Sequence, residues 1–377
     1  MAMSVPTHIS SMELSGFKSI KQEQLVLDKL NIFIGSNGSG KTNFISFLGM
    51  LSSILRNPGS LDDYVSRHGG AEYLLHFGSK QTKSIKAKLT MPLDMHEVVY
   101  SVELCPSISD SLYFQGEMIT YDEDDREPLI QIRGGGKNSL FHENSTDGVI
   151  GQYYHTIYSL IRILGEIRLY QFHDTSPDAL IRKSAYMDEN THLLGNGGNL
   201  GAFLYMLREK YPGDYRIIID IIRQAAPFVG EIILEKDYNS CFVKLRWREN
   251  TNSSYRFDVS QLSDGTLRFI ALVTALAQPN LPPVICIDEP ELGLHPEAVS
   301  VIADLLKLAA ERSQVFVATQ SPALVDCFDA RDIIVVNRQQ GETCFERLAF
   351  EKYQEWLNEY SLSAVWRTNI FGGNPRV

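Results

Sequence analysis

Residues 30–48 read Leu-Asn-Ile-Phe-Ile-Gly-Ser-Asn-Gly-Ser-Gly-Lys-Thr-Asn-Phe-Ile-Ser-Phe-Leu, and no other stretch restricts the fold as tightly. Leu30, Ile32, Phe33 and Ile34 have the length and β-branching of a buried strand. The run stops at Gly35, and positions 35–42 fit G-x-x-x-x-G-K-[ST] through Gly35, Gly40, Lys41 and Thr42. Phe44, Ile45, Phe47 and Leu48 then recur at helical spacing. Strand, glycine loop and helix in that order are the setting a phosphate-binding loop requires. On average residue usage the pattern alone arises by chance in roughly one chain of this length in a hundred, and the flanking elements make chance rarer. Backbone N–H groups of Ser36, Asn37, Gly38, Ser39 and Asn43 can turn toward a polyphosphate at the positive end of the helix. Lys41 is placed to reach the β- and γ-phosphates and Thr42 to hold Mg²⁺.

A second motif completes such a site. Val284-Ile-Cys-Ile287 is an apolar strand that delivers Asp288 at its C-terminal end, where ligands of open α/β sheets gather. Asp288 suits a Mg²⁺ contact, and Glu289 is placed to orient or deprotonate an attacking water. A further strand, Gln314 to Ala318, ends in Thr319-Gln320-Ser321-Pro322, again a polar group at a strand end. Between them, Ser263 occupies an N-cap position before an apolar helix, and Gly265 allows close backbone approach.

The fold class expected is α/β: a phosphate-loop nucleotide-binding fold with an antiparallel β subdomain and a helical insertion. Segments at 84–89, 98–104, 112–114 and 129–132 alternate with period two and read as half-buried antiparallel strands. The run Asp122-Glu-Asp-Asp125 between them reads as a solvated loop. From about 150 to 229 the period is helical: Tyr153, Ile157, Leu160, Ile161 and Leu164 share a face, as do Phe203, Leu204, Leu207 and Tyr211. The division expected is 1–149, with the phosphate loop and β subdomain, 150–230, the helical insertion, and 231–377, the second half of the nucleotide-binding head. In Phe242 to Arg248, core-facing Val243, Leu245 and Trp247 leave Lys244, Arg246 and Arg248 as a cationic row. That row is either a solvated face or a contact for nucleic-acid phosphates or an acidic partner.

A net charge of −11 argues against a chain that coats nucleic acid or anionic membrane through bulk charge. The five cysteines are never spaced C-x-x-C and read as reduced thiols. No stretch of eighteen apolar residues and no signal-peptide pattern occurs, so a cytoplasmic chain without a membrane span is expected.

Taken together, these motifs resemble the ATP-binding-cassette ATPases of the SMC/RecF class, grouped with the AAA-family predicted ATPases of bacteria. The match is carried by Gly16-Phe-Lys-Ser19, the loop 35–42, Leu262-Ser-Asp-Gly-Thr266, Ile287-Asp-Glu-Pro-Glu-Leu-Gly-Leu-His-Pro296 and Thr319-Gln-Ser-Pro322. Trp366 and Phe371-Gly-Gly-Asn-Pro375 look like the tail of compact members without a coiled-coil arm. The resemblance implies an ATPase using ATP and Mg²⁺, with Glu289 as the catalytic carboxylate and Asp288 and Thr42 at the metal. It implies a homodimer with composite sites, in which Ser263 and Gly265 meet the γ-phosphate on the other subunit's loop and Leu292 to His295 cross the interface. It also implies a nuclease-type effector or nucleic acid as the partner, in DNA maintenance or anti-phage defence.

Two departures follow from the same comparison. Gln320 stands where relatives carry a switch histidine; it can bond a phosphate or water but carries no charge, so slow hydrolysis is expected. For the glutamine that senses Mg²⁺, Gln81 is the candidate. The alternative function is the nucleotide-binding subunit of a membrane transporter; Ser263-Asp-Gly-Thr266 in place of Ser-Gly-Gly-Gln disfavours it.

Overall fold

The structure is a computed structural model that describes residues 8–93, 96–121, 130–139, 158–237, 241–251 and 254–373. The acidic run at 122–125, Tyr153, Ile157 and the Asn-Pro of the tail lie outside the described residues.

Strands β1 (Ser11–Phe17), β2 (Ile20–Val26) and β3 (Leu30–Ile34) precede helices α1 (Lys41–Arg56), α2 (Ser60–Arg67) and α3 (Ala71–Leu74). Strands β4 (Ile85–Leu93), β5 (His96–Pro106), β6 (Leu112–Tyr121) and β7 (Ile130–Gly136) follow. Helix α4 spans 158–165. Next come β8 (Arg168–Tyr170), β9 (Ala185–Tyr186), α5 (Leu200–Lys210), α6 (Pro212–Ala225), β10 (Val229–Asp237), β11 (Phe242–Glu249) and β12 (Phe257–Asp258). The C-terminal part holds α7 (Asp264–Ala277), β13 (Val284–Asp288), α8 (Pro296–Ala310), β14 (Gln314–Thr319) and α9 (Pro322–Val325). It ends with β15 (Ile333–Gln339), β16 (Glu342–Arg347), α10 (Phe350–Glu359) and α11 (Leu362–Arg367).

Three sheets result. An antiparallel sheet runs β2-β1-β4-β5-β6-β7, a central sheet β16-β15-β3-β14-β13-β8, and a small sheet β10-β11-β12 with β9 on β11. In the central sheet β15, β3, β14, β13 and β8 are parallel, and β16 returns antiparallel on β15. Every residue of β3, β13 and β14 is buried, as expected of parallel strands covered on both faces. Their side chains alternate between two cores. Phe33, Cys286 and Phe316 join α1 and the antiparallel sheet; Ile32, Ile34, Ile285, Ile287, Val315 and Val317 join α7 and α8. Helix α1 is thus held between two sheets, with Phe44 against Phe33 (4.9 Å) and Phe47 against Phe17 (5.3 Å).

The stretch expected to be a helical insertion is not helical throughout. It supplies α4, α5 and α6, but also β9 and β8, the edge strand of the central sheet. Three residues are too few to display a period, so β8 left no pattern to read. The cationic row on β11 is partly exposed, as one of its two readings expects. Val243, Leu245 and Trp247 are buried, but Lys244 pairs with Asp258 (2.7 Å), Arg246 with Glu235 (3.1 Å) and Arg248 with Glu231 (2.9 Å). Cross-strand carboxylates on β10 and β12 neutralise a row that looked unopposed along one strand.

Candidate functional site

Four parallel strands deposit polar groups at one edge of the central sheet. Strand β3 ends in the glycine loop, β13 in Asp288 and Glu289, β14 in Thr319 and Gln320, and β8 in Gln171. The register aligns them: Ile34 lies beside Thr319, Ala318 beside Asp288, and Ile287 beside Tyr170.

The loop is a tight backbone cradle. Gly38 and Gly40 hold φ of +75° and +111°, which side-chain-bearing residues rarely adopt. A Cβ on Gly40 would lie 2.0 Å from Thr343 Oγ1, and one on Gly35 would lie 2.4 Å from the Val336 carbonyl. Thr343 Oγ1 donates to the Ser39 carbonyl (2.8 Å), and Asn43 Nδ2 donates to Ser19 Oγ (2.7 Å), so β16 and the β1–β2 turn brace the loop. From the chain's far end, the Gly373 carbonyl accepts the Ser36 N–H at 2.7 Å. Helix α1 opens at Gly40 with no side-chain cap, leaving its N-terminal donors for a ligand. The Lys41 ammonium is buried and donates to the carbonyls of Gly35 (2.8 Å) and Ser36 (3.0 Å). Burial lowers its pKa, and Glu289, Asp288 and Glu291 push it back up.

Thr42 Oγ1 donates to Asp288 Oδ2 at 3.2 Å, and Gln171 Nε2 to the same oxygen at 3.3 Å. A hydroxyl, a buried carboxylate and an amide so gathered offer the hard oxygen donors that Mg²⁺ takes. Among the described residues no group of three His, Cys, Asp or Glu side chains could hold a metal alone. That suits a cation shared with phosphate oxygens. Gln81, the candidate for the metal-sensing glutamine, lies instead in a turn whose N–H bonds to the Gly78 carbonyl. Gln171 occupies the corner.

Glu289 has φ +48°, fixed by its N–H on the Ala318 carbonyl (2.8 Å) and by Leu292 N–H on its own carbonyl (3.2 Å). Its Oε1 accepts from Gln320 Nε2 at 3.0 Å, so the glutamine at the switch position touches the carboxylate directly. Glu291, given no role from sequence, lies beneath them. Its Oε1 accepts from Thr319 Oγ1 (2.6 Å) and from the Gln320 N–H (3.3 Å). Its other oxygen is buried without a partner. Burial raises its pKa, against the hydrogen bonds that lower it.

Ser263 caps α7, accepting the Thr266 N–H at 3.1 Å, as its position in sequence predicts. The close approach expected at Gly265 is made to Gly293: a Cβ there would lie 2.1 Å from the Gly293 carbonyl. Two partly buried arginines, not singled out from sequence, lock this corner. Arg268 donates to the carbonyls of Phe172 (3.0 Å), His173 (2.8 Å) and Leu292 (3.3 Å). Arg182 donates to the carbonyls of Thr175 (2.7 Å) and Val259 (2.9 Å) and pairs with Asp264 at 2.6 Å.

The family described as "AAA domain, putative AbiEii toxin, Type IV TA system" matches residues 30–326, which include the loop, the Ser263 helix start, Asp288, Glu289 and Gln320. The chain belongs to this AAA-domain family. The AAA-domain chain is also similar to the DNA replication and repair protein RecF of Renibacterium salmoninarum, 38% identical over 69 residues (18% of the chain, 17% of that protein). With RecF of Acidothermus cellulolyticus it shares 34% over 70 residues, 18% of the chain and 19% of that protein. The matched stretch therefore spans less than a fifth of either curated relative. Its fold is that of SMC heads. The Smc head bound to the C-winged helix domain of ScpA superposes with a TM-score of 0.60 at 18% identity, covering 92% of this chain and 99% of that one. The Smc head domain with an extended coiled coil bound to the C-terminal domain of ScpA from Pyrococcus furiosus gives 0.57 at 17%, covering 93% and 99%. The chain is thus an AAA-domain protein by family, with the fold of an SMC head and a RecF-like stretch. Among its described residues, no helix is long and apolar enough to cross a membrane.

Proposed function

We propose that the chain binds ATP with Mg²⁺ and hydrolyses it slowly in a site completed by a second copy. The observation that carries this reading is the Gln320–Glu289 contact at the strand edge that also presents Lys41, Thr42 and Asp288. Loop residues 35–43 hold the phosphates through backbone N–H groups, and Lys41 turns from its carbonyl partners to the β- and γ-phosphates. Thr42, Asp288 and Gln171 hold Mg²⁺, which neutralises charge building on the phosphate oxygens. Glu289 Oε1 accepts a proton from the attacking water or orients it, while Gln320 Nε2 fixes that carboxylate. Gln320 stays neutral, so it withholds the charge a histidine would supply, and turnover is slow.

Dimerisation is supported by what one chain leaves unused. Ser263 Oγ bonds only Thr266 among the described residues, and Leu292 is 39% exposed beside it on the Gly265–Gly293 contact. In the dimer Ser263 and Gly265 meet the γ-phosphate on the partner's loop, and Leu292 to His295 cross the interface. The output we infer is DNA-directed, through an effector protein of nuclease type, in maintenance or anti-phage defence within the cytoplasm. The family description and the RecF stretch support that direction.

The test is Glu289→Gln, which keeps the shape and removes the base. Phosphate release should fall about a thousandfold while ATP is still bound, and light scattering should give an ATP-dependent dimer. Retained hydrolysis removes Glu289 from catalysis; an ATP-loaded monomer removes the composite site.

A further inference from the structure

A hollow of about 740 Å³ on the outer face of the first sheet has its cations paired: Lys86 with Glu103 (3.1 Å) and Lys88 with Glu13 (3.6 Å). A second cleft of about 520 Å³ does not. It begins at Thr42 and Gln171 and follows the flank of α1 to Arg56, where Arg168 and His192 also line it. At 1.5 Å per residue, Arg56 stands roughly 21 Å along the helix from Thr42, past any triphosphate seated on the helix N-terminus.

That far end gathers two arginines, with the Glu166 carboxylate near them but outside the lining. No Asp or Glu is among the described residues that line the cleft. Arg56 uses Nε and Nη2 on the Gly165 carbonyl (3.2 and 3.1 Å), leaving Nη1 without a described partner. The Arg168 side chain makes no hydrogen bond or ion pair among the described residues; Tyr170 and Glu166 influence it from nearby, and Glu166, which Arg56 also feels, is within ion-pair distance of neither arginine. The groups press on one another. Burial first and Arg168 second lower the Arg56 pKa to about 10, and burial, Arg168 and Arg56 lower that of His192 to about 4. Like charges set this close, with Arg168 partly buried and Arg56 exposed at the rim, match a phosphate dianion, which two guanidinium forks can grip. Tyr64 and His68, stacked at 3.9 Å with 19° between ring planes, add a flat aromatic wall to the same cleft.

We propose that the Arg56–Arg168–His192 end of this cleft is a second ligand site, for a mononucleotide-sized phosphate ester distinct from the ATP on the phosphate loop. The two guanidinium groups take the phosphate, and Tyr64 with His68 offers a surface for the ring. A compact dianion is favoured over a nucleic-acid strand because the chain carries a net charge of −11 and its β11 cations are already paired, leaving no continuous cationic track. Since the cleft opens on Thr42 and Gln171, its ligand and the ATP site share walls, and any coupling between them is reciprocal.

The probe is 5′-AMP, titrated calorimetrically into the chain saturated with the ATP analogue AMP-PNP and Mg²⁺, and into the unloaded chain. One AMP should bind each loaded chain, and Arg168→Gln should bind it about tenfold more weakly with AMP-PNP affinity unchanged. Among the described residues the Arg168 side chain has no hydrogen-bond or ion-pair partner to lose, so the unliganded variant should melt no lower than the wild type. His192→Gln, which leaves both arginines in place, serves as the second variant and should weaken AMP by a few-fold. Failure of AMP to bind the loaded chain, or equal binding by both variants and wild type, overturns the proposal. Binding of a 20-nucleotide single strand in place of AMP also overturns it, giving the cleft to nucleic acid. Should AMP-PNP itself not bind, the ATP reading falls, and the comparison of Arg168→Gln with wild type in the unloaded chain still decides the cleft.

Discussion

Glu289 sits at φ +48° because the chain must turn sharply between a buried carboxylate aimed at Thr42 and a loop that returns toward α7. Its position was readable, since an apolar strand ending in Asp-Glu after a phosphate loop admits few other meanings. Gln171 was not readable, because its role depends on a three-residue strand pairing with β13 more than a hundred positions later. Glu291 stood inside a motif already recognised, yet nothing in sequence says that a second carboxylate will be buried under Thr319. His192 yields a prediction at this scale. Its pKa is about 4 in the folded chain against an ordinary 6.5, through burial, Arg168 and Arg56. A base with a depressed folded pKa is neutral in both states above 6.5; between 6.5 and 4 the unfolded chain binds the extra proton, so stability falls as pH falls. His192→Gln should therefore match the wild type at pH 8 and exceed it at pH 4.5 by about 1 kcal/mol, after allowance for solvent screening. Parallel thermal melts at the two pH values check this, and an equal difference at both would remove the histidine as the cause.

Among the elements, α7 depends most on its neighbours. Sequence alone marks its start, because Ser263 caps it and an apolar run follows. It does not show that the Gly265 backbone is pressed against Gly293, or that Arg268 and Arg182 join α7 to the segment after β8. Single arginines carry no period that would betray six backbone acceptors between them. The same limit applies to β11: alternation identifies its buried face, while the partners of its cations lie on β10 and β12. Gly265→Ala tests the contact, because the added Cβ meets a backbone carbonyl at 2.1 Å and neither backbone can rotate away cheaply. A loss of about 1–3 kcal/mol of stability is expected, with ATP hydrolysis falling further than nucleotide binding. Denaturant titration and a turnover assay measure the two; unchanged turnover would separate this contact from the site.

For the whole molecule, the phosphate loop was legible because strand, loop and helix are contiguous, whereas the order of the central sheet was not. Strand β3 pairs with β14 and β15, both almost three hundred residues later, and the Ser36 N–H waits for the Gly373 carbonyl. Pairings this distant are the slowest to form. The hydrogen bond from Ser36 to Gly373 therefore bears on biosynthesis. On the ribosome, the phosphate loop stays without the sheet partners of β3 until β14 and β15 emerge. Nascent chains arrested before Gln314 has left the exit tunnel should not be photolabelled by an azido-ATP, and chains released beyond Gly373 should be. Labelling of the shorter species would mean that the loop closes without β14. Nucleotide capture by this protein accordingly waits for translation to deliver the strands that flank β3 and the Gly373 carbonyl that holds Ser36.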